Sequence, residues 1–377
     1  MAMASQRFVK MRVLIAAGGT GGHIYPGIAV AKEVLRRDPR ARVRFVGTRR
    51  GLEARIVVHA GFDLDLIEIG GLKSVGMKAR LRSLWQLPKS ILAARRLIHD
   101  FRPEVVVGTG GYVAGPVLLA AWSLRIPTLV MESNALPGWT NRVLARFVSA
   151  AAVTFEESLP FFHGKAVVTG NPVRPEFFDI PPKRRDPSRF SLLVFGGSQG
   201  ARPINQAMVA ALDHLADSRA VLRILHQTGD ADYDWVRAEY ERRGWRQRSD
   251  VRRYIDDMVA AFAEADLIVC RAGATTSAEL VAAGKAAIMI PFPLAADDHQ
   301  RRNAEALERA GAARMILQRE LTGERLATEI TELMKDPERI TAMERASRRL
   351  ARRDAAEKIV DLMEKLATGA RPVGAGT

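Results

Sequence analysis

One cysteine, Cys270, stands among 377 residues. It excludes an internal disulfide and fits a reducing compartment. Aromatic residues make up only 6% of the chain, with neither an RNA-binding aromatic signature nor zinc-ligand spacing. No run of apolar residues is long enough to span a bilayer. The longest, Tyr112 to Trp122, is about half of the ~20 residues a span needs and contains Gly115 and Pro116. The run Val13 to Ala17 before the first glycine loop is too short for a signal-peptide core. A protein that stays in the cytoplasm, at most resting on a membrane, is expected. Acidic residues are also in deficit, 42 against 57 Lys and Arg, giving a net charge of +15. Such an excess suits nucleic acid, an anionic membrane or a phosphorylated substrate, and the composition disfavours nucleic acid. With 47% apolar and 26% charged residues, the chain reads as globular, and its length predicts two domains.

Short β-branched runs alternate with helical patterns. Strands are predicted at 12–17, 42–47, 64–69, 105–108, 128–132 and 151–155, then at 191–195, 221–226, 251–255, 267–270, 286–291 and 314–317. Strands separated by helices imply parallel sheets with right-handed crossovers. The stretch Asn171–Arg189, with five prolines and Arg174, Lys183, Arg184 and Arg185, reads as an interdomain linker. The expected domains are 1–174 and 175–377, with helices from Glu324 to Thr368 and a terminal helix across both.

Each half opens with a strand running into glycines: Gly18-Gly-Thr-Gly-Gly-His23 and Gly196-Gly-Ser-Gln-Gly-Ala201. Glycines let backbone approach a ligand, and a helix N-terminus offers N–H groups to phosphate. After His23, Ile24, Ile28, Ala31 and Leu35 recur at helical spacing, with Pro26 placed in the first turn. Neither loop fits the dinucleotide pattern Gly-x-Gly-x-x-Gly, and no acid ends the second strand. No Lys-Ser/Thr follows either loop, so a phosphate-loop ATPase is excluded. Asp63-Leu-Asp65 matches a metal motif formally, but its alternation with Phe62, Leu64 and Leu66 marks the outward face of a strand.

Further segments are more specific: Gly110-Gly-Tyr-Val-Ala-Gly-Pro116, Glu132-Ser-Asn-Ala-Leu-Pro-Gly138, Gly170-Asn-Pro-Val-Arg174, Tyr254-Ile-Asp-Asp-Met258, Cys270-Arg-Ala-Gly-Ala-Thr-Thr-Ser-Ala-Glu279 and Asp297-Asp-His-Gln300. In this order, with both glycine loops, they closely resemble the MurG family, the UDP-N-acetylglucosamine:lipid I transferases of peptidoglycan synthesis. The resemblance runs from about residue 11 to about 365. The family's usual His-Glu-Gln-Asn stands here as Met131-Glu-Ser-Asn134, keeping Glu132 and Asn134.

The resemblance implies a GT-B fold: two Rossmann-like parallel-sheet domains facing a cleft, the acceptor on the N-terminal one and UDP-GlcNAc on the C-terminal one. It implies inverting transfer of GlcNAc to the C4 hydroxyl of MurNAc in lipid I, giving lipid II. Neither a cofactor nor a metal is implied. Glu279 would take the ribose hydroxyls, and Ala274 and Thr275 the diphosphate through a helix N-terminus. Ser198 and Arg174 would contact phosphate, Ile255 would read uracil through its backbone, and Gln300 would meet the donor sugar. Thr20, Gly21, Gly22 and Asn134 complete the donor contacts, while Gly18, Gly19, Gly110, Gly111 and Tyr112 belong to the acceptor. His23 is the first candidate for general base and Glu132 the second. Another UDP-sugar enzyme of the same fold, a glycolipid synthase or a non-hydrolysing epimerase, is the alternative.

Between Lys73 and Arg102 stand eight Lys/Arg against one acid, Asp100, interleaved with apolar residues. Lys78, Arg80 and Arg82, with Leu81, Leu84 and Trp85, suit an anionic inner-membrane surface. The competing reading is a core-packed helix with a solvated basic face. The expected location is the cytoplasmic face of the membrane, peripherally bound, with cell-wall or division proteins as further candidate partners in cell shape and division.

Overall fold

The alternation of short apolar runs and helices builds two sheets whose strands are all parallel. The computed structural model describes residues 11–18, 21–48, 53–68, 77–295 and 298–369, with backbone alone for 77–86. The chain divides into two units, Met1–Pro172 with Asp354–Thr377, and Val173–Arg353.

The first unit holds β1 (Arg12–Ala16), β2 (Arg42–Gly47), β3 (Asp63–Leu66), β4 (Val105–Gly108), β5 (Thr128–Glu132), β6 (Ala150–Val153) and β7 (Ala166–Val168), in the order β3-β2-β1-β4-β5-β6-β7. Central strands β4, β5 and β6 are buried at every position, as a sheet covered on both faces requires. The helices are α1 (Gly21–Arg37), α2 (Glu53–His59), α3 (Met77–Phe101), α4 (Gly111–Ser123) and α5 (Trp139–Leu144). Because α1 starts at Gly21, Pro26 lies in its second turn, not its first. Val13, Ile15, Val105 and Val107 face α1; Leu14, Ala16, Val106 and Val130 face α4 and α3.

In the second unit, β8 (Phe190–Phe195), β9 (Leu222–Gln227), β10 (Ser249–Arg252), β11 (Leu267–Cys270), β12 (Ala287–Met289) and β13 (Ala313–Met315) take the order β10-β9-β8-β11-β12-β13. Its helices are α6 (Arg202–His214), α7 (Tyr233–Arg242), α8 (Met258–Glu264), α9 (Ala274–Ala283), α10 (His299–Arg309), α11 (Gly323–Lys335) and α12 (Pro337–Leu350). Helix α11 packs on α6, and α12 on α9. The chain then re-enters the first unit as α13 (Ala355–Ala367), which packs on α1. Ile359, Val360 and Met363 are fully buried there, Leu362 and Leu366 nearly so. At roughly 2 kcal/mol each, these five side chains contribute about 10 kcal/mol of gross burial. Arg37 of α1 adds a 2.6 Å ion pair to Asp361.

Two features differ from the sequence reading. The boundary falls at Pro172–Val173, and the last helix belongs with the opening unit rather than the second. The proline-rich stretch read as an interdomain linker does contain the boundary, but past Pro172 it is packed into the second unit: Phe177 is fully buried, Lys183 pairs with Asp266 at 2.8 Å and Arg185 with Glu344 at 2.7 Å. Both carboxylates lie some 80 to 160 positions away in sequence, beyond the reach of local pattern.

Strand order reverses direction between β1 and β4 in one unit and between β8 and β11 in the other. The carboxyl ends of strands at such switch points are where open α/β sheets bind ligands.

Candidate active site

At the first switch point, Ala16 pairs in register with Gly108, so the loops that follow β1 and β4 lie side by side. Gly111 (φ 76°) passes so close to Gly18 that a Cβ on it would lie 2.4 Å from the Gly18 carbonyl oxygen. A Cβ on Gly110 (φ 107°) would lie 2.5 Å from His23 Nδ1. Only glycine tolerates both the conformation and the contact. The His23 Nδ1–H donates to the Thr109 carbonyl at 3.0 Å, which fixes the ring and makes Nε2 the basic nitrogen. The structure thus brings His23, Gly18, Gly110 and Gly111 together. Gly21 and Gly22 form the first turn of α1, and Tyr112 that of α4. Gly19 and Thr20 lie outside the described residues.

Glu53 was not singled out in the sequence, where it looks like a solvated acid opening a helix. It is fully buried, accepts from Thr48 N at 2.9 Å and Thr48 Oγ1 at 2.8 Å, and lies 3.3 Å from where a Gly18 Cβ would sit.

Glu132 ends β5 almost fully buried. Its Oε1 accepts from Asn134 N and Nδ2, its Oε2 from Gly138 N and Asn141 Nδ2, at 2.8–3.0 Å. Burial raises its pKa, and these four bonds pull the other way. Four donors tie the carboxylate to the 133–138 loop and to Asn141 of α5, which positions Asn134. The departures from the family pattern face inward. Met131 packs in the core, and Ser133 Oγ donates to Asn171 Oδ1 at 3.1 Å.

In the second unit, Phe195 pairs in register with Cys270, setting the second glycine loop beside the start of α9. Gly200 N–H donates to the Gly197 carbonyl at 3.0 Å, leaving Ser198 exposed on the turn. Helix α9 begins after Gly273 with no side-chain cap, and Thr275 Oγ1 and Ser277 Oγ are buried without a hydrogen-bond partner among the described residues. Arg174, its guanidinium 4.8 Å over the Phe177 ring, lies 3.7 Å from Glu279 Oε1. Burial pushes the Glu279 carboxyl up to about 7, with Arg174 pulling it down. Ala274 is the first residue of α9. Ile255 is buried, its N–H donating to Gln227 Oε1 at 2.8 Å. Gln300 Oε1 accepts from Phe292 N at 3.0 Å. Asp257 caps α8 by accepting from Ala260 N at 2.9 Å, which accounts for one acid of the Tyr254–Met258 segment.

Asp65 pairs with Arg44 at 3.4 Å on edge strand β3, and among the described residues no three His, Cys, Asp or Glu side chains converge. The basic segment forms α3 from Met77; the side chains of Lys78, Arg80, Leu81, Arg82, Leu84 and Trp85 lie outside the described residues. No helix among the described residues is long and apolar enough to cross a membrane.

The glycosyltransferase family 28 N-terminal domain model matches residues 13–153, and its C-terminal domain model residues 191–359. The chain is 51% identical over 359 residues, 94% of its length and 93% of the relative's, to the UDP-N-acetylglucosamine--N-acetylmuramyl-(pentapeptide) pyrophosphoryl-undecaprenol N-acetylglucosamine transferase of Anaeromyxobacter sp. (strain Fw109-5). It is 49% identical to that of Myxococcus xanthus (strain DK1622), covering 93% of this chain and 92% of the other. The crystal structure of Acinetobacter baumannii MurG superposes with a TM-score of 0.79 at 33% identity, covering 94% of this chain and 99% of that one. A UDP-GlcNAc 2-epimerase from Neisseria meningitidis, bound to UDP-GlcNAc, gives 0.67 at 14% identity, covering 94% and 100%, a likeness of fold alone. The fold is GT-B.

Proposed function

The chain belongs to the MurG family within glycosyltransferase family 28, and from that membership we propose that it transfers GlcNAc from UDP-GlcNAc to the C4 hydroxyl of MurNAc in lipid I, giving lipid II. The observation that carries this reading is identity near one half along 94% of the chain with relatives bearing that activity in their names. The epimerase alternative rests on fold alone.

The reaction is a single displacement that inverts C1 of GlcNAc. The acceptor hydroxyl attacks C1 as UDP leaves. His23 Nε2 takes the hydroxyl proton, a role its Nδ1–H bond to Thr109 prepares by fixing tautomer and ring. Glu132 is not the base in this reading, because both its oxygens already accept two donors; it holds the loop that presents Asn134. Gly18, Gly110, Gly111 and Tyr112 serve the acceptor.

In the second unit Glu279 receives the ribose hydroxyls. Charge growing on the leaving diphosphate meets Arg174, Ser198 and the uncapped start of α9, where the orphan hydroxyl of Thr275 supplies a donor. These groups supply positive potential themselves, so turnover is expected to survive excess chelator.

The protein binds peripherally at the cytoplasmic face of an anionic inner membrane, where its lipid acceptor resides, and acts with other cell-wall and division proteins in maintaining cell shape. The basic sequence of α3 supports this, as do Leu92 and Trp122, each more than half exposed, on the α3–α4 pair that Arg95 joins by a 2.9 Å bond to Ser123.

The deciding measurement is transfer of labelled GlcNAc from UDP-GlcNAc to a soluble lipid I analogue, with chelator present. Expected are a labelled disaccharide product and UDP release only when acceptor is added. Conversion of UDP-GlcNAc to its C2 epimer without acceptor, with no net UDP release and no labelled disaccharide, would replace the reading with the epimerase one.

A further inference from the structure

Gln227 ends β9 with its side chain almost fully buried and both ends of its amide engaged. Nε2 donates to the Gly197 carbonyl at 2.9 Å, and Oε1 accepts the Ile255 N–H at 2.8 Å. One side chain therefore touches two segments far apart in sequence: the glycine loop that carries Ser198, and the segment between β10 and α8 that carries Ile255. The surroundings fix Gln227 itself. His226, its neighbour, is locked between Asn205 Oδ1 (3.1 Å) and the Tyr240 hydroxyl (3.0 Å). Thr228 and Gly229 donate their N–H groups to the Arg252 and Arg253 carbonyls at 3.0 and 3.1 Å. The far end of the glycine loop is pressed on the same strand end, where a Cβ on Gly229 would lie 2.2 Å from the Gln199 carbonyl.

A buried amide costs free energy unless both of its ends are bonded, so a mere space-filler here would be apolar. We infer that Gln227 is a positioning residue that couples the phosphate end of the donor site, at Gly197–Ser198, to its base end, at Ile255, so that the two set as one unit. The inference rests on the reading of Ser198 and Ile255 as donor contacts.

Two variants of similar volume separate the two bonds. Gln227→Met removes both, while Gln227→Glu, tested at a pH where the new side chain is ionised, can still accept from Ile255 N–H but cannot donate to Gly197. Hydrogen exchange on the ligand-free protein reports the strut without reference to function. In Gln227→Met, amides of 196–200 and 254–256 should both exchange faster; in Gln227→Glu, only those of 196–200. Calorimetry reports the coupling. Gln227→Glu should keep uridine affinity within about twofold yet lose about tenfold for UDP, the scale of one hydrogen bond to a charged site. Gln227→Met should weaken both, and raise the KM for UDP-GlcNAc more than it lowers kcat. A packing role alone would lower the melting temperature and speed exchange across the whole sheet, overturning the inference. UDP affinity of Gln227→Glu within twofold of wild type, or equal losses for uridine and UDP, would overturn it too. If the wild-type protein binds neither ligand, the donor reading falls, and the exchange pattern decides the strut alone.

Discussion

At Glu279 two opposing influences are visible at once. Burial of a side chain only 16% exposed favours the neutral acid, and a half-exposed arginine 3.7 Å away favours the carboxylate. Burial wins, leaving the group near 7. A carboxyl raised in the folded protein stabilises it fully below its unfolded value, and that contribution is lost as pH rises through about 7. The amount is about 3 kcal/mol, so stability of the ligand-free protein is expected to fall between about pH 4.5 and about pH 7, a slope that Glu279→Gln should flatten in denaturant titrations. Donor binding runs the other way, since ribose hydroxyls donate best to the ionised form. The KM for UDP-GlcNAc should therefore rise as pH drops below about 7 in wild type and stay flat in Glu279→Gln. At His23, replacement by Ala should lower kcat about a hundredfold while calorimetry finds UDP affinity within about twofold. Gly110→Ala, which would set a methyl carbon 2.5 Å from His23 Nδ1, should lower kcat comparably. His23 and its glycines were legible in sequence because tight backbone approach demands glycine wherever it occurs. Glu53 and Gln227 were not, because what makes each of them distinctive is burial and partners brought by the fold. Glu132 was legible as a notable carboxylate, but not the four donors, from the loop after it and from Asn141 of α5, that hold it.

Among the elements, α13 makes the sharpest prediction. A chain ending at Arg353 lacks the five buried side chains that cap α1 and the Arg37–Asp361 pair. A gross loss of about 10 kcal/mol is comparable with the whole stability of a domain. Limited proteolysis should cut the first unit of this truncated chain throughout while leaving Val173–Arg353 protected, where a merely decorative helix would leave both units resistant. The central strands were readable as continuous apolar runs. Strand β7 escaped because three residues, Ala166–Val168, carry too little periodicity to stand out from a loop. The helices after Glu324 were readable too, but not their division. An amphipathic stripe says that a face is buried without saying against what, so nothing local distinguished α12 on α9 from α13 on α1.

For the molecule as a whole, the net charge of +15 invites a test of what it is for. Changing Lys78, Arg80 and Arg82 together to Glu should abolish sedimentation with anionic vesicles, each cation near such a surface being worth about 1 kcal/mol. Turnover of a short-chain soluble acceptor should persist. Unchanged sedimentation would return α3 to the status of an ordinary surface helix. Both units share one plan, glycines at the reversal of strand order, and the sequence displays that plan as two matching strand–glycine openings. The path of the chain through the units has a consequence for its birth on the ribosome. The first unit is interrupted by the whole of the second and completed only by α13. Between β7 and the end of α13 some 200 residues must be translated, about 10 to 40 seconds at 5–20 residues per second. The second unit, finished at Arg353, can close while the older one still shows the ribosome exit an uncovered apolar flank. The half begun first is the half completed last.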